Sequence, residues 1–285
     1  MLQKRLKCLG VVLTCLLFGY SASGQFYVGI HGGRTLPQGF YADSRMSDNE
    51  WMFAEGHQFK AGAGRGWAVG IDMAFAIPAL PDLEILLESE YMQGGVSRDV
   101  EDYYDIIYSR RYSRCSQYVM ELPKFRNVPI LLGVRYGYPL GGSFRLYGEA
   151  MAGVNFRYIS DWTLAYSNDE WQQGDGQGFE NYSNVDIRTY QNAATFAFRI
   201  GIGILVRDIK KFPMDISLGA SYNVLGSSAL VWDRTQTTRY SVYGDIVQRD
   251  TQTHVDFTDI NPQMILIELG LRFNPFAGSR HVQDW

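Results

Sequence analysis

Residues 144–158, FRLYGEAMAGVNFRY, alternate between an apolar set and a polar set. Phe144, Leu146, Ala150, Ala152, Val154, Phe156 and Tyr158 share one parity, while Arg145, Glu149, Asn155 and Arg157 share the other. Successive side chains of a strand point to opposite faces, so a segment this long presents one greasy face and one ionic face. Helical spacing would scatter both sets around the axis. The fold must pair the charges of one face and give the other face apolar surroundings.

The pattern recurs in WAVGIDMAFAI (67–77), LEILLESEY (83–91), VPILLGVRYGY (128–138), FAFRIGIGILVR (196–207), DISLGASYNV (215–224) and MILIELGLRF (264–273). The shorter FYVGIHGG (26–33) completes a set of eight expected strands, with ten as the structural rival. Period two alone fits a soluble sandwich as well, and two further features separate the cases. First, the polar face is rich in Gly and in mixed Arg and Glu, which suits a confined interior where opposite charges pair. The interior network expected from parity is Asp72, Glu84, Glu88, Glu90, Arg135, Arg145, Glu149, Arg157, Arg199, Arg207, Glu268 and Arg272. Second, the connections alternate in length. Residues 78–82, 139–143 and 209–213 are short, whereas 34–66, 92–117, 159–191 and 225–262 are long. A membrane barrel sorts its connections in this way, with short periplasmic turns and long extracellular loops.

The aromatic residues fall into two bands once the first strand is taken to run outward. Trp67, Tyr91, Phe156, Tyr158, Phe196 and Phe198 lie at the outer rim, and Phe75, Tyr136, Tyr138, Phe144, Phe212 and Phe273 at the inner rim. Such bands are the interfacial girdles of a membrane barrel. The fold class expected is therefore all-β: an eight-stranded antiparallel up-and-down transmembrane barrel.

The first 24 residues read as a signal peptide: basic MLQKRLK, an apolar run over 9–19, and the small-x-small Ala22-Ser23-Gly24. The barrel domain is placed at 25–276 and a periplasmic tail at 277–285. Export removes Cys8 and Cys15 and leaves Cys115, which cannot form an internal disulfide by itself. Whether it stays a thiol or links to another chain is open. A net charge of -4 with scattered basic residues argues against nucleic acid.

Three stretches, VGIHGG (28–33), ELPKFRNVPILLGVRYGY (121–138) and IELGLRF (267–273), carry a family resemblance. The chain resembles the small outer-membrane β-barrel proteins of the Bacteroidetes type, similar in shape to the OmpX and OmpA barrels. The closing strand resembles an assembly signal through Glu268, Gly270 and Phe273, but departs from it at Pro275 and in running on to Trp285. The resemblance implies a bacterial outer-membrane location, with lipid and lipopolysaccharide as surroundings. Some members, the PorT-like proteins, serve a secretion system.

No catalytic, cofactor or metal residues are expected. A lipid A-modifying enzyme would need a base near the outer leaflet, and only His31, His57, His254 and His281 exist. His31 is placed facing inward, His57 and His254 in long loops, and His281 in the tail. DGQGFEN (175–181) lacks the donor spacing of a calcium loop. An eight-stranded lumen is too narrow for an open water channel, which leaves a narrow solute path as the other alternative. The Tyr- and Arg-rich loop 98–118 and the hairpin-like 235–257 read equally as contact surfaces or as solvated loops folded over the barrel mouth. The function expected is a non-enzymatic scaffold or interaction protein, acting through its outer loops or as a subunit of an assembly.

Overall fold

The computed structural model describes residues 26–42, 62–111, 117–172, 178–207, 214–241 and 245–275. Residues 1–24, read above as a signal peptide, His57, Cys115, His281 and the 209–213 turn with Phe212 lie outside them, as does the start of the DGQGFEN stretch.

Eight long strands close into one antiparallel barrel. They are β1 (Phe26–Pro37), β2 (Ala63–Ile77), β3 (Leu80–Val96), β5 (Phe125–Gly141), β6 (Phe144–Ile159), β9 (Ala193–Val206), β10 (Met214–Val224) and β13 (Gln263–Phe273). Around the barrel they run β1-β13-β10-β9-β6-β5-β3-β2, and β1 pairs with both β2 and β13. The ten-stranded alternative is not adopted. Closure leaves no unpaired edge at membrane depth, which lipid could not satisfy.

The β5–β6 turn is Gly142-Ser143, where Gly141 and Gly142 take φ of 118° and 59°. A side chain disfavours such angles, and glycine supplies them. The β2–β3 turn is only Pro78-Ala79, because β3 already begins at Leu80. Several strands overrun their sequence limits: β1 continues to Pro37, β3 to Val96 and β5 starts at Phe125. The ladder supplies each added residue with backbone partners, which offsets its weak alternation.

The long outer connections are not all loops. Three of them hold a second sheet: β4 (Gln117–Glu121), β7 (Trp162–Gln172), β8 (Gly178–Tyr190), β11 (Ser228–Ser241) and β12 (Asp245–Ile260). Its order, β12-β11-β8-β7-β4, repeats that of the barrel strands β13-β10-β9-β6-β5 to which they connect. Each joins its barrel strand through two or three residues, as at Ser160-Asp161 between β6 and β7. The hairpin expected at 235–257 lies within the longer pair β11–β12. The tail of the loop expected at 98–118 is β4, and its body is helix α2 (Arg98–Arg111). Ser97 starts this helix, its carbonyl accepting from the N–H groups of Val100 and Glu101. Asp99 and Glu101 in the first turn suit the positive end of the helix dipole. A short helical turn, α1 (Gly39–Ala42), follows β1.

Candidate functional site: the filled lumen and the outer sheet

Parity decides what each barrel residue meets. Ile200, Ile202 and Ile204 of β9 are 54%, 59% and 44% exposed, although all three lie mid-strand. Ile30, Ile71, Leu132, Leu218 and Leu269 are exposed on neighbouring strands. Water would penalise a continuous aliphatic belt of this kind, at about 25 cal/mol per Å². Lipid does not, and no described helix is long and apolar enough to cross a membrane in its place.

Rings stand above and below the belt. At the inner end Phe26 and Phe75 are register partners with centroids 4.8 Å apart. Tyr136, Tyr138, Phe144 and Phe273 are exposed at the same end. At the outer end Trp67 and Tyr91 pack at 5.4 Å, and Phe156, Tyr158, Phe196 and Phe198 are exposed. From Trp67 to Phe75 the strand rises roughly 26 Å. Shortened by strand tilt, that span is comparable with the apolar band of a membrane barrel, about 25 Å.

The opposite parity fills the lumen in two layers. The inner layer is ionic. Arg135 and Glu149 face each other on β5 and β6, with Nε and Nη2 both donating to Oε2 at 3.0 and 2.7 Å. Arg272 donates to Asp72 at 2.9 Å and to Glu84 at 3.1 Å, and Arg207 donates to the other oxygen of Glu84. Arg199 crosses the lumen from β9 to β3, donating to Glu88 and Glu90 while its Nε donates to Asn223 at 2.6 Å. Glu268 is buried in the same layer. Arg145 sits at the inner rim, half-buried, and donates to Asp82. Arg157 lies at the opposite end, where it donates to the Ile260 carbonyl at 3.2 Å and to Ser228. It therefore ties the barrel mouth to the outer sheet and stands apart from the inner network.

Four interior residues were not singled out from sequence. Tyr147 on β6 lies under the Arg135 guanidinium, 4.4 Å from its ring centre, and occupies the space left by Gly203 and Gly219. Tyr27 lies beside Arg272 and Arg207 at 5.6 and 5.8 Å. Asp215 is buried 3.9 Å from Arg207, and Asp82 partners Arg145. Parity would have found the first three; the rim pair needed the register.

Above the ions the lumen mixes apolar side chains with a few hydrogen-bonded polar ones, Asn155 donating to Asn127 at 3.0 Å. Met92, Phe125, Leu225, Met264 and Leu266 are fully or nearly fully buried, with Tyr41 of α1 and Val100 of α2 packed against them. The Tyr41 ring meets Phe125 edge-on at 5.6 Å. The connection helices thus stopper the mouth.

The outer sheet has its own interior side. Trp162 is buried under the Arg188 guanidinium, 4.4 Å away. Arg234 of β11 grips Asp186 of β8 with contacts of 2.7 to 3.1 Å. Its outermost strands are β4 and β12. His254 is on β12, opposite Trp232.

No protein-family model matches the sequence, and neither does any curated protein. Among solved structures, the chain is similar to Neisserial surface protein A, at 10% identity and a TM-score of 0.42, over 88% of this chain and 99% of that one. It is similar to a major outer membrane protein from Thermus thermophilus, at 11% identity and 0.40, over 88% and 99%. OprG from Pseudomonas aeruginosa gives 15% identity and 0.36, over 88% and 98%. At these identities and scores the likeness identifies neither a family nor an activity.

Proposed function

We propose that the chain is an integral outer-membrane protein that works without catalysis, as an anchor presenting a β-sheet platform to a protein partner. The observation that carries this reading is the continuation of five barrel strands, in order, into a separate sheet with two outermost strands. An unpaired strand edge is a ready template for another chain, and Val119 on β4 is exposed there. The packed lumen supports a holding role, because filling it with paired ions and well-packed side chains stiffens a barrel. The resemblance to the Bacteroidetes-type barrels supports the finer reading of a subunit in an outer-membrane assembly.

The hairpin β11–β12 offers a clean test. Below it, the Leu225 N–H donates to the Pro262 carbonyl at 2.9 Å, so a short turn can replace residues 228–260 while the barrel stays closed. A partner that copurifies in mild detergent with the full chain, and is lost with the shortened chain, supports the platform. Equal copurification with both refutes it. A protein-dependent change in the lipid A mass spectrum would favour the enzyme, and planar-bilayer conductance that responds to Glu149→Gln the channel.

A further inference from the structure

We propose that the barrel interior holds a divalent transition-metal ion between His31, Glu88 and Glu90. The three residues come from two strands separated by a third. His31 on β1 pairs with Gly70 on β2, and Gly70 pairs with Glu90 on β3. The residue between them has no side chain, and a Cβ there would collide with His31 Nε2. The glycine is the space in which the imidazole reaches across toward β3.

His31 Nε2 lies 3.6 Å from Glu88 Oε1 and 3.7 Å from Glu90 Oε1. One donor atom from each residue can be chosen so that all lie within 4.8 Å of one another. Two donors bound about 2.1 Å from one ion at a tetrahedral angle stand roughly 3.4 Å apart, so the two distances from the imidazole need to shorten by only a few tenths of an ångström. Two of the three donors are also unspent, whereas Glu88 Oε1 accepts from Arg199. His31 is only 8% exposed, yet Nε2 has no hydrogen-bond partner, and neither has Glu90 Oε1. Leaving a buried polar atom unmatched is costly, and a metal ion satisfies both at once. The remaining polar atoms are arranged around this task. Arg199 takes the other oxygen of Glu90, which turns Oε1 toward the imidazole. Asp72 Oδ1 stands 3.7 Å from Nδ1, where a carboxylate orients a metal-binding histidine.

The charge of the layer points the same way. Seven buried carboxylates, Asp215 included, share it with the four guanidiniums of Arg135, Arg199, Arg207 and Arg272. With His31 neutral, as a ligand must be, three negative charges stay uncompensated among the described residues, and a divalent cation supplies two positive ones. One imidazole nitrogen with two carboxylate oxygens suits Zn²⁺ or Mn²⁺ better than Ca²⁺ or Mg²⁺, which favour all-oxygen shells.

The test is to fold the untagged chain without its signal segment from urea into detergent micelles, with Zn²⁺, with Mn²⁺ or with neither. After exhaustive washing, metal is measured against protein. The expected result is about one ion per folded chain, retained against a chelator and absent from Glu90→Gln and His31→Asn. Folding of each variant is verified by the mobility shift of a closed barrel on unheated gels. Mn²⁺ bound here should also show magnetic coupling to an imidazole nitrogen, absent in His31→Asn. Should one substitution prevent folding, the coupling in the wild type and the metal content of Glu88→Gln decide. Substoichiometric metal in the wild type, equal metal in folded variants, or bound Mn²⁺ with no nitrogen coupling overturns the proposal and leaves a proton-balanced cluster.

Discussion

Arg135 and Glu149 sit directly opposite each other on adjacent strands, and two nitrogens of the guanidinium converge on one carboxylate oxygen. Both side chains are almost wholly buried. The pair is valuable chiefly because either member alone would be an unbalanced charge in a dry lumen. Arg135→Ala is expected to lower folding stability by about 3–5 kcal/mol, read as a fall in the urea midpoint in micelles. The double variant Arg135→Met with Glu149→Gln should recover most of that loss. A single substitution as mild as the double one would show that the lumen is wet.

Ile202 tests the outer face. It lies mid-strand, opposite Gly148 and Ala220, with its side chain turned away from the lumen. Ile202→Arg is expected to cost roughly 2–4 kcal/mol in lipid vesicles, where a charge at mid-depth has no partner. The same change at exposed Leu140, beside the inner turn, should cost less than half as much. Equal costs at the two heights would contradict a lipid-facing belt.

Two glycines give a contrast in closure. A Cβ on Gly33 would run into the Ile267 carbonyl oxygen, across the β1–β13 seam that closes the cylinder. One on Gly95 would meet nothing within 4 Å. Gly33→Val is expected to abolish the gel-mobility shift of the closed barrel, and Gly95→Val to preserve it.

Arg157 joins the two sheets through Ile260 and Ser228. Hydrogen bonds from a charged donor contribute about 1.5–3 kcal/mol, so Arg157→Ala should raise local opening of the junction about tenfold or more. Limited proteolysis checks this. Cuts near 160–161 and 226–228 should accelerate while the fragment below stays folded.

Much of the barrel was legible because lipid and lumen impose opposite demands on alternate residues. In β9 every second side chain from Phe196 to Ile204 is large and apolar, and the others are Ala197, Arg199, Gly201 and Gly203. No other period fits. The outer sheet was hidden for the complementary reason. SNDEWQ in β7 and RTQTTRYS in β11 are polar on both faces, so alternation has nothing to mark. Helix α2 buries Val100 but keeps Glu101, Asp102, Asp105 and Ile106 exposed, too weak a stripe to separate from loop. Parity also states which residues share the lumen, but not which of them meet. Arg199 finds Glu88 and Glu90 across the diameter, and His31 finds Glu90 over Gly70, through the stagger of the ladder.

The outer sheet continues β5, β6, β9, β10 and β13, whereas β1 and β3 lead into helical segments. A molecule crowned on one flank has a front and a back in the plane of the membrane. A neighbour engaging that crown would fix the angle about the barrel axis as well as the distance. Copies of the chain around a shared assembly would then all face it with the same flank.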